Sequence, residues 1–406
     1  MLKAFRDVSK DWSIPVFWFL VAAKQYYMGW EVAQLYAGGA LIFICGFYVF
    51  FNLGVLLRDV VSKVVLTYFL SVFIFGTCMC FLGSGTLQGM IDILIFPVFF
   101  LFFYVKVITG RMSMNMMLLV AVIFVPFAVW NAFRWRNMYV DMGSLSQQSN
   151  AANFVTALIP FLFMAKNKVI RWICFAGIAV ALTISMKRSG FVIFALFALY
   201  ELFFSDAGKR NFLKRLGILL VGGIALGIGW SILSRTETGE GMLSRLSRLG
   251  EDGGSGRIDL FFYGWKEWAE ENLLAKLIGN GPVGSSEMLL GIRQAYHNDF
   301  VEVLRTSGAL GLAAFVCMFV VLCVASWKYR AQRCEYREVP FLCMLFFLVS
   351  MGMFSPLVGF TYYTMPTVAL AGASFAFCRL HDDKLRMLRH VGIQNPRAAF
   401  QPQKSK

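Results

Sequence analysis

The sequence predicts an all-α polytopic membrane protein, and three observations carry that prediction. Hydrophobic residues make up 58% of the 406 positions and charged residues only 15%. The apolar residues fall in runs long enough to span a bilayer. The positive residues stand in short clusters between those runs. That is the pattern of topology signals, so the formal charge of +15 is read as orientation and not as a nucleic-acid groove.

About twelve transmembrane helices follow in order, at residues 13–30, 35–57, 61–82, 88–105, 112–133, 151–165, 169–186, 189–205, 212–234, 303–327, 339–357 and 361–378. The first is preceded by a basic Met1–Lys10 segment that resembles a signal peptide, but the parity of the later spans reads it as an uncleaved span. With the N-terminus inside, the inner segments hold 25 Lys and Arg. The short outer segments hold five, Lys24, Arg134, Arg136, Lys187 and Arg188. That bias puts both termini in the cytoplasm and the loop after span nine outside.

The chain thus reads as a single membrane domain over residues 1–406, with a periplasmic cap at 235–302 and a basic cytoplasmic tail at 379–406. Within the cap, Leu243, Leu246 and Leu249 alternate with Arg245 and Arg248 as a short interfacial helix. A glycine-rich break at 251–256 follows, and Arg257–Lys276 reads as one amphipathic helix carrying Phe261, Trp265, Trp268 and Leu273. Gly279-Asn280-Gly281-Pro282 ends it in a tight turn. The tail, with Pro396 and Pro402, reads as a surface helix followed by disorder, attracted to anionic lipid.

Nine cysteines lie in or beside apolar runs and none in the outer loop, which argues against a disulfide framework or a zinc site. No Asp-x-Asp pair or His and carboxylate cluster has ligand spacing, and Asp92 and Asp141 are isolated. No metal and no cofactor are expected. Trp130, Trp135 and Tyr139 are the aromatics best placed for stacking against a bound ligand or for an interfacial belt.

The stretch with chemical character is Tyr296–Gly311, YHNDFVEVLRTSGALG. His297 is one of three histidines, and Asn298 or Asp299 can cap the helix that begins there. Helical spacing puts Phe300, Val301, Leu304 and Gly308 near one face and leaves Glu302 and Arg305 off it. Gly308 and Gly311 would let another helix or a ligand approach the backbone. Lys187 and Arg188, in SMKRSG, run against the inside bias and sit near the bilayer surface, where charge is costly unless paired or functional. Snorkelling to lipid phosphate is the alternative reading of that pair.

The spacing His297-Asn298-x9-Gly308-x2-Gly311 resembles the H-[NSQ]-x9-G-x2-[GTY] pattern of the O-antigen ligase and O-antigen polymerase family of bacterial membrane glycosyltransferases. Ser255-Gly256-Arg257 and Arg188-Ser189-Gly190 match two further features of that family, and the resemblance covers roughly residues 180–325. It implies a C-type glycosyltransferase-like fold in the bacterial inner membrane, with a periplasmic active site. The implied catalytic set is His297, Arg257 and Arg188, with Lys187, Asn298, Arg305, Gly308 and Gly311 binding substrate.

The chemistry is consistent with that set. An arginine fork grips phosphate oxygens and stabilises charge on a departing pyrophosphate. An imidazole with an ordinary pKa of about 6.5 accepts a sugar hydroxyl's proton or hydrogen-bonds the phosphate. The expected partners are an undecaprenyl-pyrophosphate-linked glycan, an acceptor glycan and membrane lipids. The acceptor is a second lipid-linked repeat unit in a polymerase, or the lipid A core in a ligase. His297-Asn298-Asp299-Phe300 leans towards the polymerase, because many ligases carry another histidine just before the motif, where this chain has Ala295 and Tyr296. A lipid-linked sugar transporter or flippase is the reading from another class; it accords less well with a dominant external loop after span nine.

Overall fold

The computed structural model describes residues 31–118, 130, 134, 151–185, 188–204, 257–283, 298–332, 334–353 and 364–390. Among them the structure is all-α, with thirteen helices. In chain order these are α1 (Glu31–Phe51), α2 (Leu53–Leu56), α3 (Val60–Phe81), α4 (Leu87–Ile108), α5 (Ala151–Ala157), α6 (Ile159–Leu162), α7 (Lys168–Ser185) and α8 (Arg188–Phe203). They continue with α9 (Arg257–Glu270), α10 (Leu273–Ile278), α11 (Asp299–Arg330), α12 (Val339–Met353) and α13 (Met365–His390). Three of them, α3, α4 and α11, are long and apolar enough to cross a membrane.

The chain divides into two compact units, residues 1–121 with 264–406, and residues 122–263. In the first, α4 is the central helix. Its residues from Gly89 to Val107 are all buried, because α1, α3 and α13 pack around it. Gly372 lets α13 approach α4 closely, since a Cβ there would meet the Phe100 carbonyl. α11 packs on α3, α10 and α12, through a ring cluster in which Phe315 lies 5.4 Å from Tyr68 and 4.8 Å from Phe319. The outward faces are apolar too, with Phe43 70% exposed and Val324 65%. An exterior of that kind suits hydrocarbon and not water.

Helix starts in this unit follow sequence logic. Asp59 caps α3 by accepting from the Ser62 N–H, and Thr86 caps α4 by accepting from the Gly89 N–H. At the opposite end of α4 from Thr86, the Tyr104 hydroxyl donates to Asp59 at 2.6 Å, and Arg379 of α13 reaches Asp59 at 3.3 Å and Tyr104 at 3.2 Å. Lys106 is buried there, 4.0 Å from the Tyr48 ring centroid. This end of the unit is therefore rich in cations.

The second unit packs α7 against α5, α6 and α8. Its anchor is an ion pair of 2.6 Å between Arg171 and the buried Glu201. Arg171 also donates to the Ala165 carbonyl at 2.7 Å and lies over the Phe163 ring.

Several sequence expectations change in detail. Residues 151–165 do not form one helix but α5 and α6, interrupted at Leu158 just before Pro160, whose ring cannot donate to the ladder. Arg257–Lys276 forms two helices, because Asn272 starts a new one by accepting from the Ala275 N–H at 3.0 Å. The expected end of the last span at Cys378 falls inside the continuous helix α13. Expected spans 13–30 and 212–234, most of 112–133, the 243–249 helix and the tail beyond 390 lie outside the described residues.

Candidate functional site

The candidate site is built on α11 and on the turn that meets it. Asn298 caps the helix, its Oδ1 accepting from the Phe300 and Val301 N–H groups at 3.0 and 3.3 Å. Its backbone is extended, with φ −142° and ψ 119°, as an N-cap requires. Nine residues of helix follow, from Asp299 to Ser307. Then Gly308 leaves helical geometry at φ 67° and ψ −171°, a region open essentially to glycine alone. α11 is thus two half-helices joined at Gly308, the second running on to Arg330.

A break in a helix frees carbonyls that must find new donors. Here the Gly279–Pro282 turn supplies them. The Asn280 N–H donates to the Arg305 carbonyl at 2.8 Å, and the Gly281 N–H donates to the Thr306 carbonyl at 3.1 Å. Gly279, at φ 86° and ψ 179°, occupies the same glycine-only region as Gly308. A Cβ on Gly279 would strike the Thr306 carbonyl, and one on Gly308 would strike the Leu277 carbonyl. The two glycines therefore permit one reciprocal backbone contact.

Side chains tighten the junction. Glu271 accepts from Asn280 Nδ2 at 2.6 Å and from Arg305 at 3.0 Å through the same Oε1. Arg305 also pairs with Glu267 at 3.6 Å, and its side chain is only 11% exposed. Trp268 donates to the Lys276 carbonyl at 3.1 Å, tying α9 to α10. Beyond the turn, the Pro282 carbonyl accepts from the Thr86 N–H at 2.9 Å, which anchors it to the start of α4. The expected surface cap therefore enters the helix layer at its C-terminal end, with Gly279, Gly281 and Pro282 buried.

The expected site residues fall as follows. His297 and Lys187 lie outside the described residues. Arg257 is the first residue of α9 and Arg188 the first of α8; both belong to residues 122–263, whereas Asn298, Arg305, Gly308 and Gly311 belong to the other unit. The Arg305 guanidinium pairs with Glu271 and Glu267. Glu302 was placed off the buried face and is instead buried, as is Asp299. The break at Gly308 and the junction with the turn bring polar groups into what would otherwise be an apolar seam. Gly311 is explained within α11 itself, because a Cβ there would meet the Ser307 side chain.

Sequence reasoning missed Glu271 and read Asn280 only as part of a turn, because both act on Arg305, far along the chain. Ser189, beside Arg188, is buried with its hydroxyl making no hydrogen bond. Asp92 is not isolated: buried in α4, it accepts from Gln88 at 3.1 Å.

The fold thus defines an all-α protein whose three long apolar helices point to a multi-pass membrane protein. No protein family and no curated protein gives a match to this chain.

Proposed function

We propose that this chain is a membrane glycosyltransferase that moves a glycan from an undecaprenyl-pyrophosphate donor to an acceptor hydroxyl at the outer face of the bacterial inner membrane. The observation that carries this reading is the discontinuous helix at the His297-Asn298-x9-Gly308-x2-Gly311 spacing. A motif that resembles the O-antigen polymerase and ligase family coincides with a capped half-helix ending at Gly308. Non-helical backbone inside apolar helices is tolerated where protein buries it or a cavity needs it.

In the proposed reaction the acceptor hydroxyl attacks the anomeric carbon, and the glycosidic bond to phosphate breaks. Arg188 and Arg257 stabilise the departing pyrophosphate charge. Each opens a helix, an end whose free N–H groups also favour anions, and the Ser189 hydroxyl is a further donor beside Arg188. His297 either takes the acceptor proton or hydrogen-bonds the phosphate. The reaction needs no metal, so chelation is expected to leave the rate unchanged. Twelve spans, cytoplasmic termini and an external 235–302 loop complete the proposal.

The test is transfer by purified protein in lipid, using a lipid-linked pyrophosphate glycan and an acceptor. His297→Ala, Arg188→Ala and Arg257→Ala are each expected to lower turnover by about 100-fold or more at undiminished membrane abundance. Wild-type rates in all three would remove the site assignment. A deletion strain separates the two acceptors: one repeat unit on the lipid core marks a polymerase, and a bare core with accumulating lipid-linked polymer marks a ligase. A broken helix also suits a transporter. That reading wins if the reconstituted protein moves labelled donor across vesicles and forms no glycosidic bond.

A further inference from the structure

The reading above gives His297 the chemistry but leaves open what fixes its position. His297 is bonded directly to Asn298, the cap of the first half-helix, so its place depends on how that half-helix is held. Nine residues of helix, from Asp299 to Ser307, are too few to be stable alone in water. At Gly308 the backbone leaves helical geometry before the long half that follows. Their C-terminal end is held instead by a segment distant in sequence.

We infer that Glu271 and Asn280 are positioning residues, which through the Gly279–Pro282 turn clamp the half-helix 299–307 and so hold its cap, Asn298, the residue bonded to His297. This inference rests on the glycosyltransferase reading only for its catalytic consequence. The clamp has three parts. The Asn280 and Gly281 N–H groups terminate the half-helix at the Arg305 and Thr306 carbonyls. Glu271 Oε1 joins the Asn280 side chain to the Arg305 guanidinium, so the turn and the half-helix share one acceptor. The Pro282 carbonyl, bonded to the Thr86 N–H, transfers the hold to the start of α4, a helix buried from Gly89 to Val107.

The arrangement is specific to position and not to substrate. Asn280 and Glu271 face Arg305 from the turn and from the residue after α9, and Glu267 gives the guanidinium a second carboxylate. Loss of Asn280 Nδ2 or of the Glu271 charge loosens the last turn of the half-helix, because the bonds removed join only Glu271, Asn280 and Arg305. A displacement of the half-helix moves its first residue, and small misplacements of a catalytic group are costly in rate.

The test uses the full-length protein in lipid nanodiscs and two readouts. Hydrogen exchange compares wild type with Glu271→Gln, Asn280→Ala and the double variant. Amides of residues 299–307 are expected to exchange about tenfold faster in the double variant, with those of α3 and α4 within about twofold of wild type, because opening is local. In transfer assays kcat is expected to fall about tenfold or more with KM within about twofold, the signature of lost positioning and not of lost binding. Glu271→Asp, which keeps the charge, is expected to recover part of the kcat. Unchanged exchange at 299–307, or an equal rise throughout the protein, overturns the clamp. A raised KM at constant kcat overturns the positioning role. A wild type that exchanges as expected but transfers nothing removes the glycosyltransferase reading and leaves the clamp standing.

Discussion

Arg171 and Glu201 meet at 2.6 Å inside the second unit, with Glu201 almost wholly shielded. Burying both charges gains little net free energy, but removing one leaves the other unpaired. Glu201→Ala is therefore expected to destabilise by about 3–5 kcal/mol, whereas the double replacement Arg171→Met with Glu201→Met is expected to be close to neutral. Unfolding midpoints in detergent read the difference, and a single variant as stable as the double would remove the argument. His381 gives a second residue-level expectation. Burial lowers its pKa below the ordinary value and Lys384 adds to that, while Asp382 opposes it. Between the depressed value and about 6.5 the unfolded chain binds more protons than the folded one, so stability rises with pH across that window. Acidification through it is expected to lower the midpoint, and His381→Asn to flatten that slope. At this scale the sequence marked Arg171 only as one of several inside charges, because a partner thirty residues away leaves no local trace. The ion pairs of Arg305 were hidden for the same reason, since helical spacing places a side chain on a face but does not say that Glu267 of α9 and Glu271 just after it lie opposite.

Helices were more legible than the junctions between them. The long helices α3 and α4 were foreseen to within a few residues because their apolar runs are unbroken, and Asp59 and Thr86 cap them where those runs begin. The cap at Asn298 was readable on the same grounds. The break at Gly308 was not, since Gly308 sits in an apolar run where a small residue reads as a packing surface. Its backbone geometry is set by the turn at 279–282, which no local pattern reveals. The reciprocal contact makes a prediction at this scale. Gly308→Ala and Gly279→Ala each force a side chain into a glycine-only conformation, at a cost of about 1–3 kcal/mol, and push a Cβ against a backbone carbonyl on the other segment. Because both changes separate the same two segments, the double variant is expected to lose less than the sum of the singles, with a coupling of at least about 0.5 kcal/mol. A thermal double-mutant cycle measures it, and strict additivity would mean that the two glycines are strained independently.

Across the whole chain, the candidate site was legible as residue types and not as a place. The spacing of Asn298 and Gly308 marked the start of α11 and the residue at which it breaks, though not the break itself, and Arg188 and Arg257 lie in residues 122–263 whereas α11 belongs to the other unit. Orientation is therefore the property to test. The first unit has two unlike ends. One carries Lys106 beside Tyr48 and Arg379 bridging Asp59 and Tyr104, and α11 finishes with Lys328 and Arg330 in its last turn. The other carries the turn at 279–282, bonded to Thr86 and to the break in α11. Cations flanking spans are retained on the cytoplasmic side, so the proposed orientation puts the first end inside and the turn, with the half-helix start beyond it, outside. A phosphatase that is active only outside the cytoplasm, fused after residue 250, is then expected to be active, and fusions after residues 168 and 406 inactive. Activity at 168 or 406 with none at 250 would invert the protein and place His297 on the face where no external acceptor is found. Activity at both 250 and 406 would instead mean an even number of spans after the loop, keeping the outer site while removing the cytoplasmic tail.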